Sequence, residues 1–437
     1  MRSGRIFVAL LLLVGGAGAM ITGADLYSRF IYLGVLLTIG NWLWVRWVAR
    51  GLRVTRSARV LRANVGDFFE EHYELMNGSR VVAPWIEIFN RSRIPHASGS
   101  RLMSLVLGRQ KRTYLARTWL TRRGAFTLGP TRITTGDPFG LFRSSREVPA
   151  AQTLLVLPML FNLSSFHLPP GLLPGGQVIR RRSSDITPHA SGVREYIHGD
   201  AMKRIHWPTS IRRNQLMVKE FEQDPQAEVW LYLDSQNAVH HEKPSQHEQS
   251  PAESVFFGRK PDFKLPPSSL EYSISITASL AHYFIAQRRA VGYASAGQTF
   301  TVHHAERSER QEGRILETLA FVTDDGNLSI AALVAAQASQ LPQGSTAILI
   351  TPTTRPDLLQ AVDDLQRRYL RPVVILLDIA TFGGLRGTEK LSRSLHERRV
   401  PVCVIACDAD LKLALSTLTT NFTPQEMRTW QNPILSQ

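Results

Sequence analysis

The sequence predicts a membrane-anchored chain of mixed class: two N-terminal transmembrane helices, a small β-sandwich, then a doubly wound, mostly parallel α/β sheet. Three observations predict it. Two uncharged apolar runs occupy residues 6–24 and 30–45, short strand patterns punctuated by turns fill residues 51–158, and apolar runs alternate with helical patterns beyond residue 192. A chain of 437 residues has room for two or three domains. The shifts of pattern divide it into a transmembrane hairpin (1–50), a β-sandwich (51–158), a linker (159–191) and an α/β domain (192–437).

A hydrocarbon core takes roughly 20 apolar residues in helical form, which the first run supplies and the second reaches with Leu26 and Trp47. Arg2 and Arg5 precede the first run; Arg46, Arg50, Arg53, Arg56 and Arg59 follow the second. Basic residues gather at cytoplasmic ends, so both the N-terminus and the chain beyond residue 50 are expected in the bacterial cytoplasm. Trp42, Trp44 and Trp47 suit an interfacial belt. Ala17-Gly18-Ala19 imitates a signal-peptide cleavage site, but a second hydrophobic segment follows at once. Cys403 and Cys407, the two cysteines, read as buried thiols in a reducing compartment.

Within 51–158, strands are expected around Tyr73 and Leu75 and at 85–89, 113–121, 125–128 and 153–157, with Asn77-Gly78 as a hairpin turn. Several short strands at this spacing suggest a sandwich. The chain carries a net charge of +15, and between Glu87 and Asp137 it has ten Lys or Arg and no acidic residue. Beside two membrane spans this stretch suits anionic lipid headgroups, at about 1 kcal/mol per nearby basic side chain. A solvated basic face is the plainer reading. Nucleic acid is not expected, since no recognised binding motif accompanies the charge. In 159–191, Pro169-Pro170, Gly175-Gly176 and Arg180 to Arg182 read as a linker.

Beyond it, apolar runs at 228–233, 291–294, 347–351, 373–377 and 402–406 are expected as strands covered on both faces. Helical patterns at 270–289, 311–321, 328–340, 356–369 and 388–398 separate them. Ser268 to Glu271 reads as a capping box for the first helix, whose stripe is Ile274, Ala278, Ala281 and Ile285. Strands alternating with helices imply a parallel sheet.

Just upstream lies the densest block of the chain, GVREYIHGDAMKRIHWPTSIRRNQLMVKEFE at 192–222. Arg194, Glu195, Tyr196, Gly199, Asp200, Arg204, Ile205, Trp207, Arg212 and residues 218–221 fall at the spacing of the domain-of-unknown-function-58 family of bacterial membrane-associated proteins, which the chain resembles. Residues 122–142, RRGAFTLGPTRITTGDPFGLF, are similar to a second hallmark of that family. The resemblance implies a von Willebrand factor A-like C-terminal domain and a MoxR-type AAA+ ATPase as partner, with a role in assembling or maturing envelope complexes. It also implies a divalent-ion site opening at Asp234, where related domains carry D-x-S-x-S. Here Ser235, Gln236, Asn237 and Ala238 follow, so both serines are missing from their places, and a Mg or Ca site is expected to be severely weakened. No other cofactor is expected. Asp234 then caps the following segment or meets an arginine.

Two readings of the block stand side by side. Asp200 and His206, with His198 and the neighbouring arginines, supply acid, base and anion clamp if they converge in a pocket. Alternatively Gly199-Asp200 turns the chain, Asp200 caps a helix bearing Ile205 and Trp207 to an apolar surface, and the block clasps the linker to the sheet. Arg204, His206 and Arg212 then form a docking face. No Walker loop, dinucleotide-binding turn, G-x-S-x-G elbow or H-E-x-x-H helix occurs in the sequence. The expectation is therefore a membrane-anchored, non-enzymatic interaction protein, the alternative being a hydrolase centred on Asp234 or on Asp200 and His206. His240, His241 and His247 fall in a polar insertion (239–266) expected as a mobile surface loop rather than a zinc site.

Overall fold

The computed structural model describes residues 2–149, 152–166, 190–197, 202, 205–221, 228–244 and 263–416. The chain divides into two units, the first comprising residues 1–159, 246–263 and 319–321, the second 160–245, 264–318 and 322–437.

The first unit begins with helices α1 (Arg2–Thr22) and α2 (Asp25–Gly51), both long and apolar enough to cross a membrane. They approach closely through small residues: a Cβ at Gly18 would lie 2.2 Å from the Tyr27 ring, and one at Gly34 2.6 Å from Leu12. Ten strands follow: β1 (Leu52–Ala58), β2 (Arg62–Asn64), β3 (Phe68–Asn77), β4 (Ala83–Asn90), β5 (Arg101–Val106), β6 (Lys111–Trp119), β7 (Gly124–Leu128), β8 (Thr131–Gly136), β9 (Arg143–Val148) and β10 (Gln152–Leu157). They form sheets of order β1-β3-β6, β5-β4-β8-β9 and β2-β10-β7. In β3 every second residue is buried, and Tyr73 and Leu75 share one core with Ile86 and Ile88 of β4, Val106 of β5 and Ile133 of β8. Two facing sheets therefore bury one apolar layer, in agreement with the expected sandwich. Val48 of α2 and Leu52 belong to the same core, so the second helix is continuous with the β unit.

Asn77-Gly78 differs from expectation. β3 and β4 lie in different sheets, so this turn is a crossing rather than a hairpin. The Asn77 side chain is fully buried and its amide donates to the carbonyls of Val81, Val106 and Leu107 at 3.0, 3.2 and 3.1 Å. Tertiary bonding, rather than turn propensity, selects Asn there.

The second unit holds a two-stranded antiparallel sheet, β11 (Ala190–Glu195) with β12 (Met217–Phe221), enclosing helix α3 (Trp207–Arg213). A six-stranded sheet follows in order β15-β14-β13-β16-β17-β18, from β13 (Val229–Leu233), β14 (Val291–Ala296), β15 (Phe300–Glu306), β16 (Thr346–Thr351), β17 (Arg371–Leu377) and β18 (Val402–Ile405). All pairs are parallel except β14 with β15. Its helices are α4 (Ser269–Ala286), α5 (Glu309–Phe321), α6 (Ile330–Gln337), α7 (Asp357–Arg367), α8 (Thr388–Glu397) and α9 (Leu411–Ser416). β13, β14 and β16 are buried at every position, the mark of a sheet covered on both faces. Trp230 and Tyr232 share one core cluster with residues of α6, α7 and α8, while α4 lies against β13, β14 and β16.

Local differences have simple causes. β15 has mostly polar, half-exposed residues and escapes an apolar-run reading; it is an antiparallel edge. The capping box of α4 is not made: Ser268 stands at the N-cap, but its side chain accepts no capping bond among the described residues. Ser273, Thr277 and Ser279 of that helix are buried and donate to carbonyls four residues back, which allows a hydroxyl-rich helix to be enclosed. Residues at the start of the expected linker are packed: the Phe161 amide donates to Ser279 Oγ at 2.9 Å, and Phe166 meets Tyr283 and Phe284 edge-on.

Candidate functional site

Two places in the second unit carry the residues singled out by sequence. The first is the β11–α3–β12 clasp. Its N-cap is His206, whose Nδ1 accepts from the Thr209 amide at 3.3 Å and lies 2.7 Å from Thr209 Oγ1. The expected cap, Asp200, lies outside the described residues, as do His198, Gly199, Lys203 and Arg204. Ile205 is buried and bridges Val218 ahead of the helix, rather than riding on it. Ser210 Oγ accepts from the Met217 amide at 2.8 Å, and the His206 amide donates to Met217 O at 2.8 Å. These bonds lock α3 to β12, and Asn214 ends the helix in the left-handed region at φ 50°. Arg194 is in β11 opposite Val218; Glu195 is exposed and Tyr196 half-buried, its amide donating to Leu216 O. Trp207 and Ile211, one helical turn apart, are 59% and 78% exposed, and Arg212 beside them is exposed too. Trp207 thus faces outward, contrary to the apolar surface expected for it. The Nδ1 of His206 is thus engaged in the helix cap.

The second place is the end of β13. β14 lies on one side of this strand and β16 on the other, so the order of strands reverses between β13 and β16, and ligands gather at such switch points in open α/β sheets. Asp234 sits there, 2% exposed. Its Oδ2 accepts from Thr351 Oγ1 at 2.6 Å and its Oδ1 from the Gln236 amide at 3.0 Å. Thr351 Oγ1 in turn accepts from the Thr353 amide at 3.0 Å. Burial pushes the carboxyl up to about 6, against the lowering effect of the Thr351 and Gln236 bonds; Asp357 raises it further and Arg355 lowers it.

His240 completes this cluster. It is buried, with Nε2 2.9 Å from Asp234 O and Nδ1 3.1 Å from Ser269 Oγ. A carbonyl only accepts, so Nε2 carries the proton and Nδ1 accepts from the serine hydroxyl. Ser269 Oγ also accepts from the His241 amide at 3.0 Å. Burial lowers the affinity of His240 for a second proton. The first residues of the insertion are therefore a clamp between β13 and α4, not a mobile loop; His247 lies outside the described residues. Sequence spacing holds no sign of the clamp, because Ser269 is 29 residues away.

Do these donors suit a hard divalent ion? Both carboxylate oxygens are already bonded, the neighbouring histidine presents a donor, and Gln236 and Ala238 stand where hydroxyls would serve. Among the described residues no group of three or more His, Cys, Asp or Glu gathers at metal-binding distance. As built, the set offers a hard ion one hydrogen-bonded carboxylate and no hydroxyl at either 236 or 238. Ser235 Oγ is buried next to Gly297 with no hydrogen-bond partner among the described residues. Cys403, raised to about 12 by burial, is a core thiol, and Cys407 lies beyond β18 in a turn.

Among known proteins, residues 192–256 match the model of a family described as "Protein of unknown function DUF58". Over 207 residues the chain is 25% identical to the "Uncharacterized protein YeaD" of Bacillus subtilis (strain 168), covering 46% of this chain and 44% of that protein. The match thus spans less than half of that relative's length. Among solved structures, the CARDB domain of a Pyrococcus furiosus protein, in complex with di-metal ions, is 13% identical, covering 24% of this chain and 91% of that one with a TM-score of 0.17. A complex of zinc 2-glycoprotein and prolactin-inducible protein from human seminal plasma is 8% identical, covering 24% and 92%, also with a TM-score of 0.17. Scores this low carry no argument about fold or ligand.

Proposed function

We propose that this chain, a member of the DUF58 family, is a membrane-anchored interaction protein whose C-terminal α/β domain, of von Willebrand factor A-like build, docks a protein partner. The partner class put forward is a MoxR-type AAA+ ATPase, with the soluble units in the cytoplasm. The observation that carries the reading is the outward face of α3: Trp207 and Ile211 are exposed side by side with Arg212, inside the segment that matches the family model. Aromatic and arginine side chains of this kind anchor protein interfaces. The bonding around Asp234 supports a binding rather than a metal-dependent role, since its oxygens are held by Thr351 and Gln236.

The test is co-purification of the full-length protein, in detergent, with the ATPase in its ATP-bound and ADP-bound states. A nucleotide-dependent complex lost in Trp207→Ala/Ile211→Ala supports the proposal. Absence of any complex sinks the partner assignment, and a complex indifferent to the double substitution moves the docking face elsewhere.

A further inference from the structure

We infer that the end of the β unit beside the helix ends is a membrane-contact rim, in which Leu105, Leu107 and Phe139 enter the headgroup layer of an anionic phospholipid leaflet and Arg80 and Arg109 meet its phosphates. The inference rests on α1 and α2 crossing a bilayer.

Two independent contacts set the level of this rim. On α2, Trp44 Nε1 donates to Val82 O at 3.1 Å, so the turn between β3 and β4 reaches the helix where its uncharged run ends at Val45. On α1, Arg5 Nε donates to Leu141 O at 2.8 Å, and Gly4 abuts the Phe139 carbonyl, just before the uncharged run begins at Ile6. The two loops therefore sit where the hydrocarbon gives way to headgroups, the depth that Trp and Arg favour.

Two loops at this end, between β8 and β9 and between β5 and β6, hold apolar side chains outward. Asp137, 1% exposed, accepts from the amides of Phe139, Leu141 and Phe142 at 3.0, 3.1 and 2.6 Å, folding the Asp-Pro-Phe-Gly-Leu-Phe segment so that Leu141 is buried and Phe139 is 62% exposed. The β5–β6 loop is tied to the helix end through the β3–β4 turn: the Gly78 amide donates to Gly51 O at 2.9 Å, the Arg109 amide to Ser79 O at 3.0 Å, and the Asn77 side-chain amide to Leu107 O at 3.1 Å. Leu105 and Leu107 are 66% and 56% exposed. Leu105 has φ 50°, a conformation unfavourable for a branched residue, and Arg112 holds it by donating to the carbonyls of Ser104 and Leu105 at 3.1 and 3.0 Å. Arg80 and Arg109 are exposed in these tied segments, the Arg80 backbone lying against Gly108, and Arg46 and Arg50 are exposed on α2. Exposed apolar side chains accompanied by exposed arginines match an anionic interface in both solubility and charge.

The experiment uses the full-length protein in a Cys403→Ala/Cys407→Ala background, carrying one new cysteine labelled with a polarity-sensitive fluorophore, in nanodiscs of phosphatidylcholine and phosphatidylglycerol. Probes at Leu107→Cys and Phe139→Cys are expected to show blue-shifted emission and quenching by doxyl-labelled lipid. A probe at Val60→Cys, past the far end of β1, which is itself about 20 Å from Leu52 at ~3.3 Å per residue, is expected to show neither. Leu36→Cys, within α2, reports on spanning itself. Lipid quenching at 36 with 107 and 139 behaving like 60 overturns the rim, whereas no quenching at 36 removes the spanning reading and the rim with it. Protection at 107 and 139 that grows with protein copies per disc and ignores doxyl lipid assigns the surface to a second copy, and overturns the proposal. Replacing phosphatidylglycerol by phosphatidylcholine, or making Arg80→Glu/Arg109→Glu, is expected to reduce the blue shift; an unchanged shift overturns the anionic assignment.

Discussion

The β unit and the α/β unit each bury a carboxylate, and they handle it in opposite ways. Glu71 of β3 is fully buried against Arg56 of β1, whose Nε donates to it at 2.6 Å and whose guanidinium covers the Tyr73 ring at 5.4 Å. Burial raises the affinity of Glu71 for a proton, and the arginine counters it. Asp234 is buried with neutral donors, at a strand end, and sits at about 6. A carboxylate given a cation is a strand fastener. One given only a hydroxyl and an amide is left able to change its charge within the physiological range, at the place where open sheets meet ligands.

Substituting Arg56→Met is the hardest blow to this contrast. It strands Glu71 without a counter-charge and is expected to destabilise the β unit by about 3–5 kcal/mol, seen as a lowered thermal transition. The double variant Arg56→Met/Glu71→Leu is expected to recover most of the loss; an equal loss would show that packing, not charge, fastens β1 to β3.

For Asp234, removing the charge is expected to stabilise rather than to destabilise. Its folded pKa lies above the unfolded 3.8, so its contribution to stability is fully present below about pH 3.8 and is lost as pH rises through 6. The shift corresponds to about 3 kcal/mol. Asp234→Asn, whose amide can donate to Thr351 Oγ1 while its carbonyl accepts from Gln236, is expected to stabilise the α/β unit at pH 7 to 8 by up to that amount and to flatten this part of the pH profile. Denaturant unfolding at pH 5 and pH 8 measures it, and a variant less stable at pH 8 contradicts it. His240 acts oppositely: its folded pKa is lowered, so its contribution is present above about 6.5 and lost as pH falls through the folded value.

A smaller change, Thr351→Val, removes the 2.6 Å donor from Asp234. It is expected to cost about 1–2 kcal/mol above pH 6 and less near pH 4, where the carboxyl is neutral. A pH-independent cost would assign the loss to packing. Smallest of all, His206→Ala unties the N-cap of α3 for about 1 kcal/mol, read as faster amide hydrogen exchange in residues 207–213 with the six-stranded sheet unchanged.

Much of the architecture was legible because its signals are local. The strands β13, β16 and β17 read as unbroken apolar runs, and the uncharged stretches of α1 and α2 announce their length. β2, with three residues, and the polar edge β15 carry no such signal, since edges are paired on one side and wetted on the other. In the clasp, Trp207 follows a helix start that sequence placed at Asp200 and the structure places at His206; histidine is an uncommon cap, so propensity points elsewhere.

By itself the sequence determined the membrane-length helices, the change from short strands to alternating strands and helices, and the kinship carried by residues 192–222, because each depends on composition and spacing within a few turns of chain. Tertiary structure alone decided that Asn77 crosses between sheets, that Asp234 is satisfied by Thr351 across 117 residues, and that His240 reaches Ser269. Those outcomes depend on which buried donors meet which acceptors once distant segments pack, and in a dry interior a group left unpaired is costly.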